Sequence, residues 1–404
     1  MRFRLSTLAL TAMLAFAQSS PTNGLDAQRL GAIRPRLQAL VDNQTIPGSV
    51  ALVARHGKIA LLEATGWRDV ENRKPMQTDS IFQIMSMTKN FTGVAVMMLV
   101  DDGKIELRRP IEDYLPEFRG IEVEERRVGR GNVYKPKNPP TVWQLMDHTS
   151  GLGGDPEGEL ADNPRTMRVP LAEAVRYYAH THLLFEPGAR WSYSNMGIAT
   201  LGRLIEVISG EDYVHFLRTH ILDPLGMKDT FIFPPEDKKD RIALVYKHEG
   251  GKLTRAGDEI LAGDPVKYRQ GAKYPAPEFG LYSTAPDLAK FYQMLLSGGE
   301  FEGRRYLSRQ AIATMTRVFT PNVKPTGWLG GTGYGLTFEI VTEPEGTLLL
   351  HSPGTFGHGG AFGTEGWMDP KNDLIRIMLV QLSDGSADAP RSVVMQIGEA
   401  AVVE

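Results

Sequence analysis

SMTKNFTGVAVMMLV, residues Ser86 to Val100, places a serine and a lysine at the mouth of a run that is apolar almost without interruption. Between Phe91 and Val100 only Thr92 and Gly93 break the apolar character. A helix that is hydrophobic all round lies inside a protein, not on its surface. Asp101-Asp102 followed by Gly103 supplies the stop. Ser86 and Lys89 are three residues apart, so they share one face at the N-terminal end of this helix. Burial and the positive end of the helix dipole both disfavour an ammonium there, which pushes the lysine toward the neutral amine that accepts a proton. A serine hydroxyl becomes a useful nucleophile when such a base takes its proton. The backbone N–H of Ser86 is then placed for a developing oxyanion. A Ser-x-x-Lys pair on its own also fits a capped helix with its lysine in solvent, so the partners elsewhere in the chain decide.

Strands flank this buried helix on both sides in sequence. Upstream, the apolar positions of Leu25 to Val41 fall at helical spacing, interrupted by Pro35. Ser49 to Gly66 carries two β-rich runs around His56-Gly57, the pattern of a tight hairpin. The middle of the chain reads as helices and loops, with helices expected over Pro170 to Leu183, Met196 to Gly210 and Pro286 to Gly299. Strands return over Tyr334 to Val341, Gly346 to Ser352, Ala361 to Asp369 and Leu374 to Leu382, and a last helix is expected over Arg391 to Val403. The expected fold is therefore α/β (α+β): one antiparallel sheet assembled from both chain ends, covered by terminal helices, with a mainly helical domain inserted. The expected boundaries are 25–82 with 325–404 for the discontinuous sheet domain and 83–324 for the helical one.

Composition narrows the class. The chain has 404 residues, 42% hydrophobic and 23% charged, which is ordinary for a globular protein. Arg2 and Arg4 precede a short apolar stretch ending in Ala15-Phe16-Ala17, the layout of a cleavable secretion signal over residues 1–17. An exported protein, periplasmic or extracellular, with no stable membrane anchor after cleavage is expected. The chain has no cysteine, which excludes disulfides, a thiol nucleophile and a cysteine-linked lipid anchor. Its formal charge of −3 gives no general attraction to nucleic acid. There is no Gly-x-Ser-x-Gly elbow and no His-Glu-x-x-His zinc helix. His180 and His182, two apart on an expected helix, point to different faces. No metal and no cofactor are expected.

Two further stretches offer partners for Ser86 and Lys89. WSYSNMG, Trp191 to Gly197, brings Tyr193-x-Asn195 in a loop before a helix. A phenol can relay protons, and an amide can hold both a lysine and a substrate carbonyl. FGHGGAFG, Phe356 to Gly363, lies beside or within a late strand, and its glycines allow close approach to the backbone. Each alone fits a cap or a turn equally well. Together, in the order Ser-Lys, Tyr-Asn, His-Gly, they resemble the serine β-lactamase and penicillin-recognising D,D-peptidase superfamily. Within it the chain is most similar to the class C-like branch that includes family VIII carboxylesterases. The resemblance runs from about Ile46 to Leu382 and includes LMDHTSGL (Leu145 to Leu152), PLGMKDT (Pro224 to Thr230) and GLYSTAPDLAKF (Gly280 to Phe291).

By position, the resemblance implies Ser86 as the acylated nucleophile, Lys89 as its base and Tyr193 as the proton shuttle. It implies Asn195 as the substrate-orienting amide and His358-Gly359-Gly360 in the place of Lys-Thr-Gly. Ala361 would supply the second oxyanion N–H beside that of Ser86. The departure is at Gly359, which lacks the hydroxyl that helps hold a substrate carboxylate, and at His358, which is largely neutral at pH 7 unless perturbed. An uncharged ester is therefore expected ahead of a β-lactam or a D-Ala-D-Ala peptide. A D,D-carboxypeptidase, β-lactamase or D-amino-acid amidase of the same fold is the second expectation. A penicillin-binding or sensor module without turnover is the third.

Overall fold

The computed structural model describes residues 23–125, 132–158, 161, 163–257, 271–320, 327, 330–347 and 349–403. The expected signal at 1–17 lies outside the described residues. Two helices, α1 (Ala27–Gly31) and α2 (Ile33–Asp42), open the described chain. The expected helical run is thus split at Ala32, and Pro35 sits in the first turn of α2, where its missing N–H costs little.

The hairpin follows as β1 (Gly48–Arg55) and β2 (Lys58–Asp69), and β3 (Lys74–Pro75) extends it. His56 and Gly57 both take positive φ (52° and 72°), as a two-residue turn with the twist of its strands demands. The remaining strands come from the C-terminal part: β4 (Thr332–Tyr334), β5 (Glu339–Val341), β6 (Phe356–Gly359), β7 (Glu365–Asp369) and β8 (Leu374–Leu379). They form one eight-stranded sheet in the order β4-β5-β6-β7-β8-β1-β2-β3. Every pairing in it is antiparallel, so the two ends of the chain meet where β8 pairs with β1.

That central position explains the composition of β1, whose eight residues are all buried. Ala51 and Val53 pack with α1 and α2 residues Leu30, Ile33 and Leu37 and with Val394 and Met395 of the terminal helix. Val50 and Leu52 face the other way, into the larger core that holds the Ser86 helix. A strand covered on both faces reads as a continuous apolar run, not an alternating one.

Four more helices position the site: α3 (Thr88–Asp101), α4 (Leu171–Tyr178), α5 (Asn195–Ser209) and α6 (Ala285–Leu296). The terminal helix, α7 (Asp388–Ala400), covers the opposite face of the sheet. Helix α3 is buried from Thr88 through Met97 and again at Leu99, as its composition requires. Phe91 stacks on Phe291 of α6 with ring centroids 3.8 Å apart. Gly93 is needed for packing, because a β-carbon there would stand 1.9 Å from Thr337 Oγ1. Among the described residues no helix is long and apolar enough to cross a membrane.

Several extents differ from the sequence reading, among them the strand expected from Ala361, which starts only at Glu365 after a turn closed by Gly363 N–H donating to Gly360 O at 2.9 Å. Tyr334 to Val341 is not one strand but the end of β4, a turn and β5. Gly335 N–H donates to Phe338 O at 2.8 Å, and Thr337 takes a φ of 65°. Gly346 to Ser352 forms no strand among its described residues: Pro344–Thr347 is a short helix, and Leu350 is 57% exposed. The helix from Pro170 stops at Tyr178, short of Leu183, which instead bridges to Val123.

Candidate active site

A short 3-10 turn, Met85–Met87, leads into α3 and carries Ser86. Met85 is buried and has a φ of 50°. That is a strained conformation for a residue with a β-carbon, and such strain collects where the surrounding structure holds a functional group in place. The tail of β6 presses against this turn. A β-carbon on Gly360 would stand 2.4 Å from Ile84 O and 2.2 Å from Thr364 Oγ1, so no larger residue fits. Thr364 Oγ1 in turn donates to Ile84 O at 3.0 Å, tying the β6–β7 turn to the segment before Ser86.

Lys89 has no exposed surface. Its Nζ lies 3.2 Å from Ser86 Oγ, 2.9 Å from Asn195 Oδ1 and 2.8 Å from the backbone oxygen of Glu278. Its ammonium also sits over the Tyr193 ring, 4.7 Å from the centroid. Burial lowers its pKa to about 7, against the opposing pull of the Glu278 and Asp155 carboxylates. Tyr193 is hydrogen-bonded to Ser86, and burial raises its pKa far above the usual phenol range. The lysine is therefore the group that can hold or lose a proton near neutrality, while the tyrosine stays a phenol.

Asn195 opens α5. Ser194 caps the helix, accepting from Gly197 N–H at 2.9 Å and donating to Gly153 O at 2.7 Å. The Asn195 amide donates from Nδ2 to Asp155 Oδ1 at 2.8 Å, which leaves Oδ1 facing the lysine. Sequence, cap and amide orientation thus agree on one placement.

His358 lies within β6 and is 7% exposed. A chain of hydrogen bonds assigns its tautomer. Ser194 N–H donates to His148 Nδ1 at 3.1 Å, so His148 carries its proton on Nε2, which donates to Tyr334 OH at 3.2 Å. Tyr334 OH is 3.0 Å from His358 Nε2 and donates to it, and His358 Nδ1–H donates to Gly359 O at 2.6 Å. Burial, with Lys89 nearby, lowers the His358 pKa to about 3, so the ring is uncharged at neutral pH. His148 is lowered too, mainly by burial.

Ser86, Tyr193, Asn195, His358, Gly359, Gly360 and Ala361 all line one cleft of about 520 Å³. Lys89 reaches it from behind through Ser86 and Asn195. The structure thus brings together every residue singled out from the sequence. It also adds some that sequence reasoning missed: Asp155, Tyr334, Glu339, Glu365, Trp367 and Arg391 on the cleft wall, and Glu278 behind Lys89.

Glu278 is the most consequential of these. It is 3% exposed, its Oε1 accepts from Tyr274 OH at 2.8 Å, and its Oε2 makes no hydrogen bond among the described residues. Burial raises its pKa to about 7. As a carboxylate it favours the Lys89 ammonium, and as an acid it releases that hold. A base must be neutral to act, so kcat/KM should fall as pH drops through about 7, the Lys89 value. Replacing Glu278 by Gln removes a negative charge that favours the ammonium, so the acidic limb of the kcat/KM profile should move to lower pH. A limb that stays in place or moves upward would show that the two groups are not coupled.

The Beta-lactamase family profile matches residues 33–396. Protein Rv1367c of Mycobacterium tuberculosis is 31% identical over 379 residues, 88% of this chain and 91% of that protein. Esterase EstB of Burkholderia gladioli is 27% identical over 397 residues, 92% of this chain and 95% of that protein. Among solved structures, EstCE1, described as a hydrolase with promiscuous acyltransferase activity, superposes with a TM-score of 0.77. It is 23% identical and covers 93% of this chain and 99% of its own, which shows the shared fold. Fold and family match define a serine hydrolase of the β-lactamase and penicillin-binding-protein fold. The chain belongs to the Beta-lactamase family.

Proposed function

We propose that the protein is a carboxylesterase that hydrolyses small uncharged esters through an acyl-enzyme on Ser86. The observation that carries the reading is the buried Lys89 amine, 3.2 Å from Ser86 Oγ and held by Asn195 and the Glu278 backbone oxygen. Neutral Lys89 takes the hydroxyl proton as Ser86 Oγ attacks the ester carbonyl. The N–H groups of Ser86 and Ala361 stabilise the oxyanion of the tetrahedral intermediate. Collapse breaks the ester C–O bond, and the leaving alkoxide takes a proton from the Tyr193 phenol, which is resupplied by the Lys89 ammonium. Water then attacks the acyl carbonyl and gives its proton up to the same pair. The carboxylic acid leaves and the Ser86 hydroxyl is restored. Asn195 orients the substrate carbonyl and keeps Lys89 in place.

The preference for an uncharged substrate rests on His358 and Gly359. The ring is neutral and already engaged at both nitrogens, and Gly359 has no hydroxyl. A charge-assisted hydrogen bond contributes about 1.5–3 kcal/mol, so lacking one or two lowers kcat/KM for a carboxylate-bearing substrate by roughly one to four powers of ten. The kcat/KM for p-nitrophenyl butyrate should exceed that for a chromogenic cephalosporin and for a D-Ala-D-Ala peptide, measured side by side. A preference for either of the latter would overturn the esterase reading and leave the serine-lysine-tyrosine chemistry standing. Binding of penicillin without turnover of any substrate would point to a sensor.

A further inference from the structure

Gly359 pairs with Glu365 across β6 and β7, and both line the cleft. A β-carbon on Gly359 would stand 2.9 Å from Glu365 Oε1 and 3.5 Å from its carboxyl carbon. The carboxyl of Glu365 therefore fills the space that any side chain at Gly359 would enter. Glu365 is 4% exposed and firmly held: Trp367 Nε1 donates to its Oε2 at 2.6 Å. Its Oε1 is 2.6 Å from Nε of Arg391, which comes from the first turn of α7. Arg391 also meets Asp388 at 2.9 Å. Among the described residues, Arg391 is the one arginine or lysine that lines the cleft. This guanidinium is thus already placed between two carboxylates.

We propose that Glu365 is a specificity-determining residue: it neutralises Arg391 and occupies the wall beside Gly359, so this end of the cleft takes the uncharged or cationic end of an ester and rejects a carboxylate. The proposal rests on the esterase reading and names the substrate class within it. A substrate carboxylate arriving here loses water, meets the Glu365 charge and finds Arg391 engaged. Among the described residues, Asp155, Glu339 and Asp388 also line the cleft, so its carboxyl groups outnumber its guanidinium and an ammonium group is welcome.

The test uses three acetate esters of similar size: 3,3-dimethylbutyl acetate, uncharged; acetylcholine, cationic; and 4-acetoxybutyrate, anionic. For each enzyme the kcat/KM of the charged ester is divided by that of the uncharged one on the same preparation, so any loss of folded protein cancels. In wild type the anionic ester should lie about tenfold or more below the uncharged one. Glu365→Gln releases Arg391, and should raise the anionic ratio about tenfold and lower the cationic ratio. Arg391→Gln leaves Glu365 unopposed and should move both ratios in the opposite direction. Ratios that stay within about twofold of wild type in both variants, with the uncharged ester still hydrolysed, overturn the role of Glu365 alone. Failure of wild type to hydrolyse any of the three esters overturns the esterase reading and this inference with it.

Discussion

Ser86→Ala should abolish ester turnover, with a loss on the order of 10⁵–10⁶ in kcat, the scale seen when a serine nucleophile is removed from a group of residues that act together. The expectation follows from how little else in the cleft can attack a carbonyl. The chain has no cysteine. Ser194 is buried, and its hydroxyl is committed as the α5 cap, between Gly197 N–H and Gly153 O. Among the described residues, Ser86 is the one serine or threonine that lines the cleft, and its Oγ lies 3.2 Å from a lysine whose pKa is about 7. A fluorophosphonate probe should accordingly label the wild type and leave Ser86→Ala unlabelled, read by intact mass. The substitution removes one oxygen from a 3-10 turn held by packing of Met85 and Met87, so the fold should survive, and near-UV circular dichroism checks that. Equal labelling of the variant would place the nucleophile elsewhere.

Much of this arrangement was legible because its parts are local. Ser86 and Lys89 share one turn, and the oily run after them specifies a buried helix whatever packs around it. The hairpin at His56-Gly57 and the glycine stop after α5 at Gly210 are likewise local, and both stand. The turn inside Tyr334 to Val341 was not legible. Gly335 to Phe338 is a short run that suits a strand, and the turn is imposed from outside, by Asn90 Nδ2 donating to Thr337 O at 2.6 Å and by the contact with Gly93. Leu349-Leu350 misleads for the opposite reason: apolar content alone does not give a strand, and among the described residues no strand pairs with Leu350, which is 57% exposed. Glu278 belongs to the same class as Thr337. It approaches Lys89 from 189 residues away, on a segment whose Pro277 packs so close to Gly202 that a β-carbon there would lie 2.3 Å from Pro277 Cγ. No spacing rule couples a loop glutamate to a helix lysine across that distance. Glu365 and Arg391 were hidden similarly, one on a strand and the other in a helix turn, joined only by the fold.

Lys89→Ala and Tyr193→Phe should each cost on the order of 10²–10⁴ in kcat, the usual range for groups that move protons in the rate-determining step. The more informative measurement is their combination. If the two residues form one proton path, breaking it at either point removes the same step, and the double variant should be little slower than the worse single. The geometry supports a shared path: Ser86 Oγ is 3.2 Å from Lys89 Nζ and also bonded to the Tyr193 hydroxyl, and the ammonium lies over the same ring. The pKa directions divide the labour. Burial brings the lysine down to about 7, where it can exchange a proton with Ser86 at little cost. The same burial drives the tyrosine upward, so a phenolate is not available as an independent base. Tyr193 then passes on a proton only when Lys89 or the leaving group supplies the other end of the transfer. Losses that multiply in the double variant would mean that each residue serves a separate step, with Tyr193 acting on the leaving group without recharging from Lys89. The pH profile of Tyr193→Phe separates the two cases further. A single path keeps the acidic limb near pH 7, set by Lys89, at a lower plateau. A lost limb would show that the tyrosine, not the lysine, is the group that titrates.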